Sequence, residues 1–167
     1  MLNWQELIDQ ICTVSVHMPS TGVWIAFGIV IVLLLCSGFV SASEIAFFSL
    51  TPNDRSTIDE GEHKADEKVA SLLDDSERLL ATILISNNLV NVAVIIILYF
   101  CFDKTIDFGQ AVWLEFLVMT VLLTFLLLLF GEIIPKIYSA QHALAFCRFA
   151  APKLQVLRGV LPLTPSA

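Results

Sequence analysis

Three apolar runs constrain this chain more than any other feature. They span roughly residues 23–50, 79–102 and 111–134. Each exceeds the length of about twenty residues that crosses the hydrocarbon core of a bilayer. In lipid, every backbone N–H and C=O must find its partner within the protein, so such runs fold as helices. The rest of the composition agrees: 57% of the 167 residues are hydrophobic and 15% are charged, outside the range of an ordinary soluble domain. The expected fold class is therefore an all-α integral membrane protein, with three transmembrane helices and amphipathic helices beside the membrane. A formal net charge of −7 excludes a nucleic-acid partner.

Each run carries polar residues that lipid would not tolerate without a purpose. In the first, Ser37 and Ser41 are four residues apart and share a helix face, which Glu44 joins three residues later; Ser43 points elsewhere. Serines of this kind also serve helix packing, but an intramembrane acid marks a candidate site. The second run holds Asn87, Asn88 and Asn91. Asn91 shares a face with Asn87 at one spacing and with Asn88 at another, so spacing leaves both open. Their amides suit either cation ligation or hydrogen bonding between helices. The third run closes on Gly131-Glu132-Ile133-Ile134-Pro135-Lys136. Pro135 has no N–H, so an α-helix here would free the carbonyl four residues back, on Gly131, and unwind the end of the span. A free carbonyl beside the Glu132 carboxylate offers hard oxygen donors for Mg2+, Ca2+ or Na+.

The remaining segments are quieter. Residues 1–22 contain no Lys or Arg and lack the form of a cleavable signal peptide. They read as an extracytoplasmic or interfacial segment, with Trp4, Leu7, Ile8 and Ile11 on one helical face and His17 in a solvated linker. The acidic connector 51–78 reads mainly as a solvated face, with Val69, Leu72 and Leu73 in helical register. The short link 103–110 makes spans two and three antiparallel neighbours. Beyond span three, 138–152 reads as an amphipathic helix and 154–167 as a C-terminal tail whose end, 161–165, is irregular. Cys12, Cys36, Cys101 and Cys147 form no CxxC pair and read as small packing residues. Arg55, Lys64, Lys68 and Arg78 lie in the connector, and Lys136, Arg148, Lys153 and Arg158 follow span three. Only Lys104 lies on the opposite side, so the N-terminus is expected outside and the C-terminus in the cytoplasm. Trp24, Tyr99 and Trp113 then fall at the outer interface and Tyr138 at the inner one.

At its polar patches the chain resembles the CorC/CNNM family of magnesium transporters. The resemblance rests on Ser37-Gly38-x-x-Ser41-x-Ser43-Glu44, Ser86-Asn87-x-x-x-Asn91 and Gly131-Glu132-Ile133-Ile134-Pro135-Lys136, and covers the family's transmembrane domain, residues 23–153. It implies a homodimer in a bacterial inner membrane, with Mg2+ as the bound and exported ion and Na+ entry as the driving force. By that resemblance the metal ligands are Ser37, Ser41, Ser43, Asn87, Asn91, Gly131 and Glu132. Some bacterial members carry a gliding-motility label. Family members continue into regulatory nucleotide-binding CBS domains, whereas this sequence stops at Ala167, so no ATP site is expected in it. The competing reading is a membrane scaffold that senses Mg2+ or Na+ without moving it. An enzyme is not expected: there is no His-Glu-x-x-His motif, no Ser/His/Asp set and no pair of buried aspartates.

Overall fold

The computed structural model describes residues 14–61, 63–109 and 111–160. Two short strands and seven helices follow one another: β1 (Ser15–Val16), α1 (Thr21–Phe48), α2 (Pro52–Glu60), α3 (Asp66–Leu73), α4 (Ser76–Asp103), β2 (Ile106–Asp107), α5 (Val112–Leu126), α6 (Ile134–Gln141) and α7 (Ala143–Val160). A π-helical segment, Leu127–Ile133, joins α5 to α6. Three stretches are long and apolar enough to cross a membrane: Thr21–Phe48, Ser76–Asp103 and Val112–Gln141, of 28, 28 and 30 residues. At about 1.5 Å per residue each is longer than the roughly 30 Å hydrocarbon core. Outward-facing Ile29, Val32, Leu35, Leu89, Ile96, Phe116 and Val121 suit a lipid solvent.

Span α1 is the central element, packing on α4, on the π segment, on α6 and on α7. Spans α4 and α5 touch each other far less, so they are neighbours in sequence more than in packing. At mid-span Val30, Val94, Leu98, Leu123 and Leu127 form one core. A second core lies at the end where the connector sits, called here the connector end. There Phe47, Ile58, Val69, Leu72, Leu79, Ile83, Cys147, Ala150 and Leu154 knit α1, α2, α3, α4 and α7 together.

Local chemistry explains why the chain turns where it does. Thr51-Pro52-Asn53-Asp54 both ends the first span and starts α2. Thr51 accepts from the Asp54 N–H, the Asp54 carboxylate accepts from the Thr51 N–H at 2.9 Å, and Pro52 takes the first helical turn. This is a reciprocal capping box with proline where its missing N–H costs nothing. Gly61, at φ 67°, closes α2 in a left-handed conformation that side chains resist.

Several expectations need correction. The connector is not only a solvated face. Asp66 is wholly buried, and its two carboxylate oxygens accept from Arg148 Nε and Nη2 at 2.7 and 2.9 Å. The Arg148 guanidinium, outweighing the opposing effect of burial, holds the Asp66 carboxyl below its ordinary value of 3.8. Arg158 pairs with Asp75 at 2.6 Å, giving a second tie between α7 and the connector. The helix expected over 138–152 is two helices that part at His142, and α7 continues to Val160 through Pro152. His17 keeps an exposed side chain, while its backbone N–H donates to Thr105 O at 2.8 Å beside the β1–β2 pair. Cys101 and Cys147 are packed in the interior, and burial pushes the Cys147 thiol up to about 12. Cys36 instead faces outward. The N-terminal amphipathic face, Cys12 and residues 161–167 of the tail lie outside the described residues.

Candidate functional site

The three polar patches converge. Ser37 on α1 donates its hydroxyl to Asn91 Oδ1 on α4 at 2.6 Å, with Asn87 Oδ1 at 3.4 Å as a second acceptor. Asn91 Nδ2 in turn donates to Glu132 Oε1, in the π segment, at 3.3 Å. One residue from each span thus joins a single polar chain. The structure also decides between the neighbouring asparagines: Asn87 is buried on the Ser37 side, whereas Asn88 is exposed.

Small residues make the convergence possible. A Cβ on Gly131 would lie 3.0 Å from Ser37 Oγ, a contact tight enough that the serine hydroxyl would have to give way. Next to it, a Cβ on Gly38 would lie 2.8 Å from Pro135 Cγ and 3.3 Å from the Phe130 carbonyl oxygen. At Gly38 a real Cβ could not fit without a shift in the neighbouring helix, whereas at Gly131 the Ser37 side chain would have to adjust.

Span three does not unwind as expected. It widens. The Ile134 N–H donates to Leu129 O, five residues back rather than four. Continued to the next residue, that register sets the missing N–H of Pro135 against Phe130 O instead of Gly131 O. Phe130 O is the carbonyl that approaches Gly38. The proline is thus absorbed by one extra residue in the turn, and the helix runs on to Gln141. Widened turns of this kind appear mostly where a helix carries a functional residue, and here the segment carries Gly131 and Glu132.

The remaining site candidates occupy distinct environments. Ser41 is fully buried, and its hydroxyl has no hydrogen-bond partner. It lies one helical turn from Ser37 on the same face. Ser43 is also buried, but its hydroxyl is committed to Phe39 O at 2.7 Å, in its own helix. Ser86 likewise donates to Thr82 O at 2.6 Å. Glu44 does not join the Ser37–Asn91–Glu132 chain. It pairs with Lys136 Nζ at 3.2 Å across the α1–α6 contact, with both side chains about 30% exposed (28% and 32%). Spacing along the sequence does not show this pairing, because Lys136 and Glu44 lie on different spans. Among the described residues no three His, Cys, Asp or Glu side chains gather as a metal cluster. Any cation held here would rely on neutral oxygens and on one carboxylate, Glu132.

Comparison with known proteins agrees with the architecture. Residues 28–165 match the family described as the Cyclin M transmembrane N-terminal domain (CNNM). A UPF0053 protein of Haemophilus influenzae (strain ATCC 51907 / DSM 11121 / KW20 / Rd) is 36% identical over 118 residues, which is 70% of this chain and 27% of that protein. The chain therefore spans about a quarter of that relative's length. With a three-span helical fold, polar patches that meet within it and a match over most of its length, the chain belongs to the CNNM transmembrane-domain family.

Proposed function

We propose that this chain is the membrane-embedded part of a Mg2+ transporter, with an intramembrane oxygen site that accepts a partly dehydrated cation. The observation that carries the reading is the polar chain Ser37–Asn91–Glu132 across all three spans, beside a buried Ser41 hydroxyl without a partner. A buried hydroxyl left unsatisfied costs about 1–3 kcal/mol, so it persists where a ligand can repay it. Ser37 Oγ, Ser41 Oγ, the Asn87 and Asn91 amide oxygens and Glu132 supply hard neutral donors and one anion, and Gly131 lets span three approach them. Such a set suits Mg2+ and, with its low charge, suits release as well as capture. Ser43 is the weakest member of the set, because its hydroxyl already bonds within its helix. Lys136, paired with Glu44 at the connector end of the site, neutralises a second carboxylate that would otherwise deepen the trap.

Export driven by Na+ entry completes the reading, together with a homodimer in a bacterial inner membrane, N-terminus outside and C-terminus in the cytoplasm. Basic residues concentrated at the connector end support that orientation. Asn88, an exposed amide within a span, supports a second copy of the chain covering the α4 face, since lipid cannot satisfy it. The decisive experiment measures Mg2+ flux in proteoliposomes with and without an opposing Na+ gradient. Wild type is expected to move Mg2+ faster with the gradient, and Glu132→Ala to lower flux by on the order of a hundredfold, as loss of a metal-site group does. Saturable Mg2+ binding with no flux under any gradient would replace transport by cation sensing.

A further inference from the structure

A groove on the outer surface of the bundle lies between α1 and the α6 side of span three, away from the polar chain. Its volume is about 360 Å3. Leu34 and Leu35 form one wall, Phe130 and Ile134 the other, and the Gly38–Pro135 contact forms its floor. It runs from the middle of the spans to their connector end, where Phe39, Phe146 and Tyr138 flank it. So far this is an apolar slot that any hydrocarbon chain would fill. Its mouth is more selective.

Beside Phe39, which lines the connector end of the groove, sits an ammonium held by aromatic rings. Lys153 Nζ lies 3.4 Å from the centroid of the Phe149 ring and 5.8 Å from that of Phe39, and donates to Phe149 O at 3.0 Å. Phe39, Phe146 and Phe149 pack against one another with centroids 6.0 Å apart. Tyr138, which also lines the groove, stacks on His142 at 4.9 Å. Arg148 and Arg158 on the same helix are neutralised by Asp66 and Asp75. Lys153 has no carboxylate within ion-pair distance among the described residues. A cation left without a counter-ion, fixed at the interface end of an apolar groove, matches one molecule in both parts. We infer that the groove is a binding site for an anionic glycerophospholipid of the leaflet at the connector end, with an acyl chain against Leu34, Gly38 and Ile134 and the phosphate at Lys153. The chain then lies directly on the contact between Gly38 and Pro135, so the lipid braces the approach of span one to the widened turn of span three. The inference does not depend on transport.

Native mass spectrometry of the whole chain tests it, after exchange into mixed micelles holding equal phosphatidylglycerol and phosphatidylcholine. Wild type is expected to retain phosphatidylglycerol by about fivefold over phosphatidylcholine, the discrimination one basic residue gives at an anionic surface. Lys153→Gln should bring the ratio to about one, and Lys153→Arg should preserve it. Leu35→Trp, which fills the groove, should lower retention of both lipids. Lys104→Gln, at the opposite membrane face, is the control for bulk charge and should leave the ratio unchanged. An even ratio in wild type, a preference that survives Lys153→Gln, or an equal loss in Lys104→Gln would each overturn the site.

Discussion

Two polar contacts tie the elements of this protein together, and they are built on opposite terms. At the connector end, Asp66 is buried but fully matched: both carboxylate oxygens accept from one guanidinium, and the Thr51–Asp54 capping box closes the neighbouring helix just as completely. Within the spans, Ser37, Asn91 and Glu132 are joined by single bonds of 2.6 and 3.3 Å, and Ser41 is joined to nothing. The first arrangement gains by never changing. The second leaves acceptor capacity open, which a permanent structural contact has no reason to do.

The contrast can be broken, and the largest stability effect belongs to the matched side. Arg148→Ala leaves the buried Asp66 carboxylate with the His63 N–H, at 3.0 Å, but no counter-ion, and should cost about 3 kcal/mol. Thermal unfolding would show it, with Mg2+ binding to the surviving folded fraction unchanged. Gly38→Ala attacks the other side, because its Cβ must push Pro135 or the Phe130 carbonyl away. A cost of about 2 kcal/mol is expected, typical of overpacking, and here Mg2+ binding should weaken along with stability. Ser41→Ala sharpens the comparison most cleanly. Removing an unsatisfied hydroxyl should stabilise the cation-free protein by about 1 kcal/mol while shrinking the extra stabilisation that added Mg2+ provides. A Ser41→Ala protein that is less stable without Mg2+ would show that the hydroxyl is satisfied after all.

Acid should act gently on the matched side. The Asp66 carboxyl is held below its ordinary value of 3.8, so its pairing stabilises the fold at every pH above that value. The contribution disappears as pH falls below 3.8 and through the lower folded value. Wild type should therefore lose stability in that window more steeply than Asp66→Asn, as followed by helicity against pH.

How much of this was legible in the sequence depended on the range of the interaction. The three spans were, because lipid dictates both their length and their composition. The meeting of Ser37, Asn91 and Glu132 was legible as an inference, because three isolated polar patches in lipid have few other places to go. The choice between Asn87 and Asn88 was not, since both three- and four-residue spacings share a face with Asn91 and only the partner helix decides. Pro135 announced a disturbance but not its form: one freed carbonyl can be met by unwinding or by an extra residue in the turn, and packing against Gly38 selects the second. Asp66 was hidden for a different reason. Its partner, Arg148, is 82 residues away, and nothing local distinguishes it from the exposed acids of the same connector.

The inserted residue at Leu127–Ile133 also has a mechanical consequence. If that segment tightened to ordinary α-helical winding, everything after it would corkscrew by about 100° and move by about 1.5 Å along the axis. Lys136 would swing off Glu44, and Glu132 would turn relative to Asn91. A helix holding one residue too many is in that sense a cocked thread, and Glu132 within it and Lys136 just beyond it are where its motion would be felt.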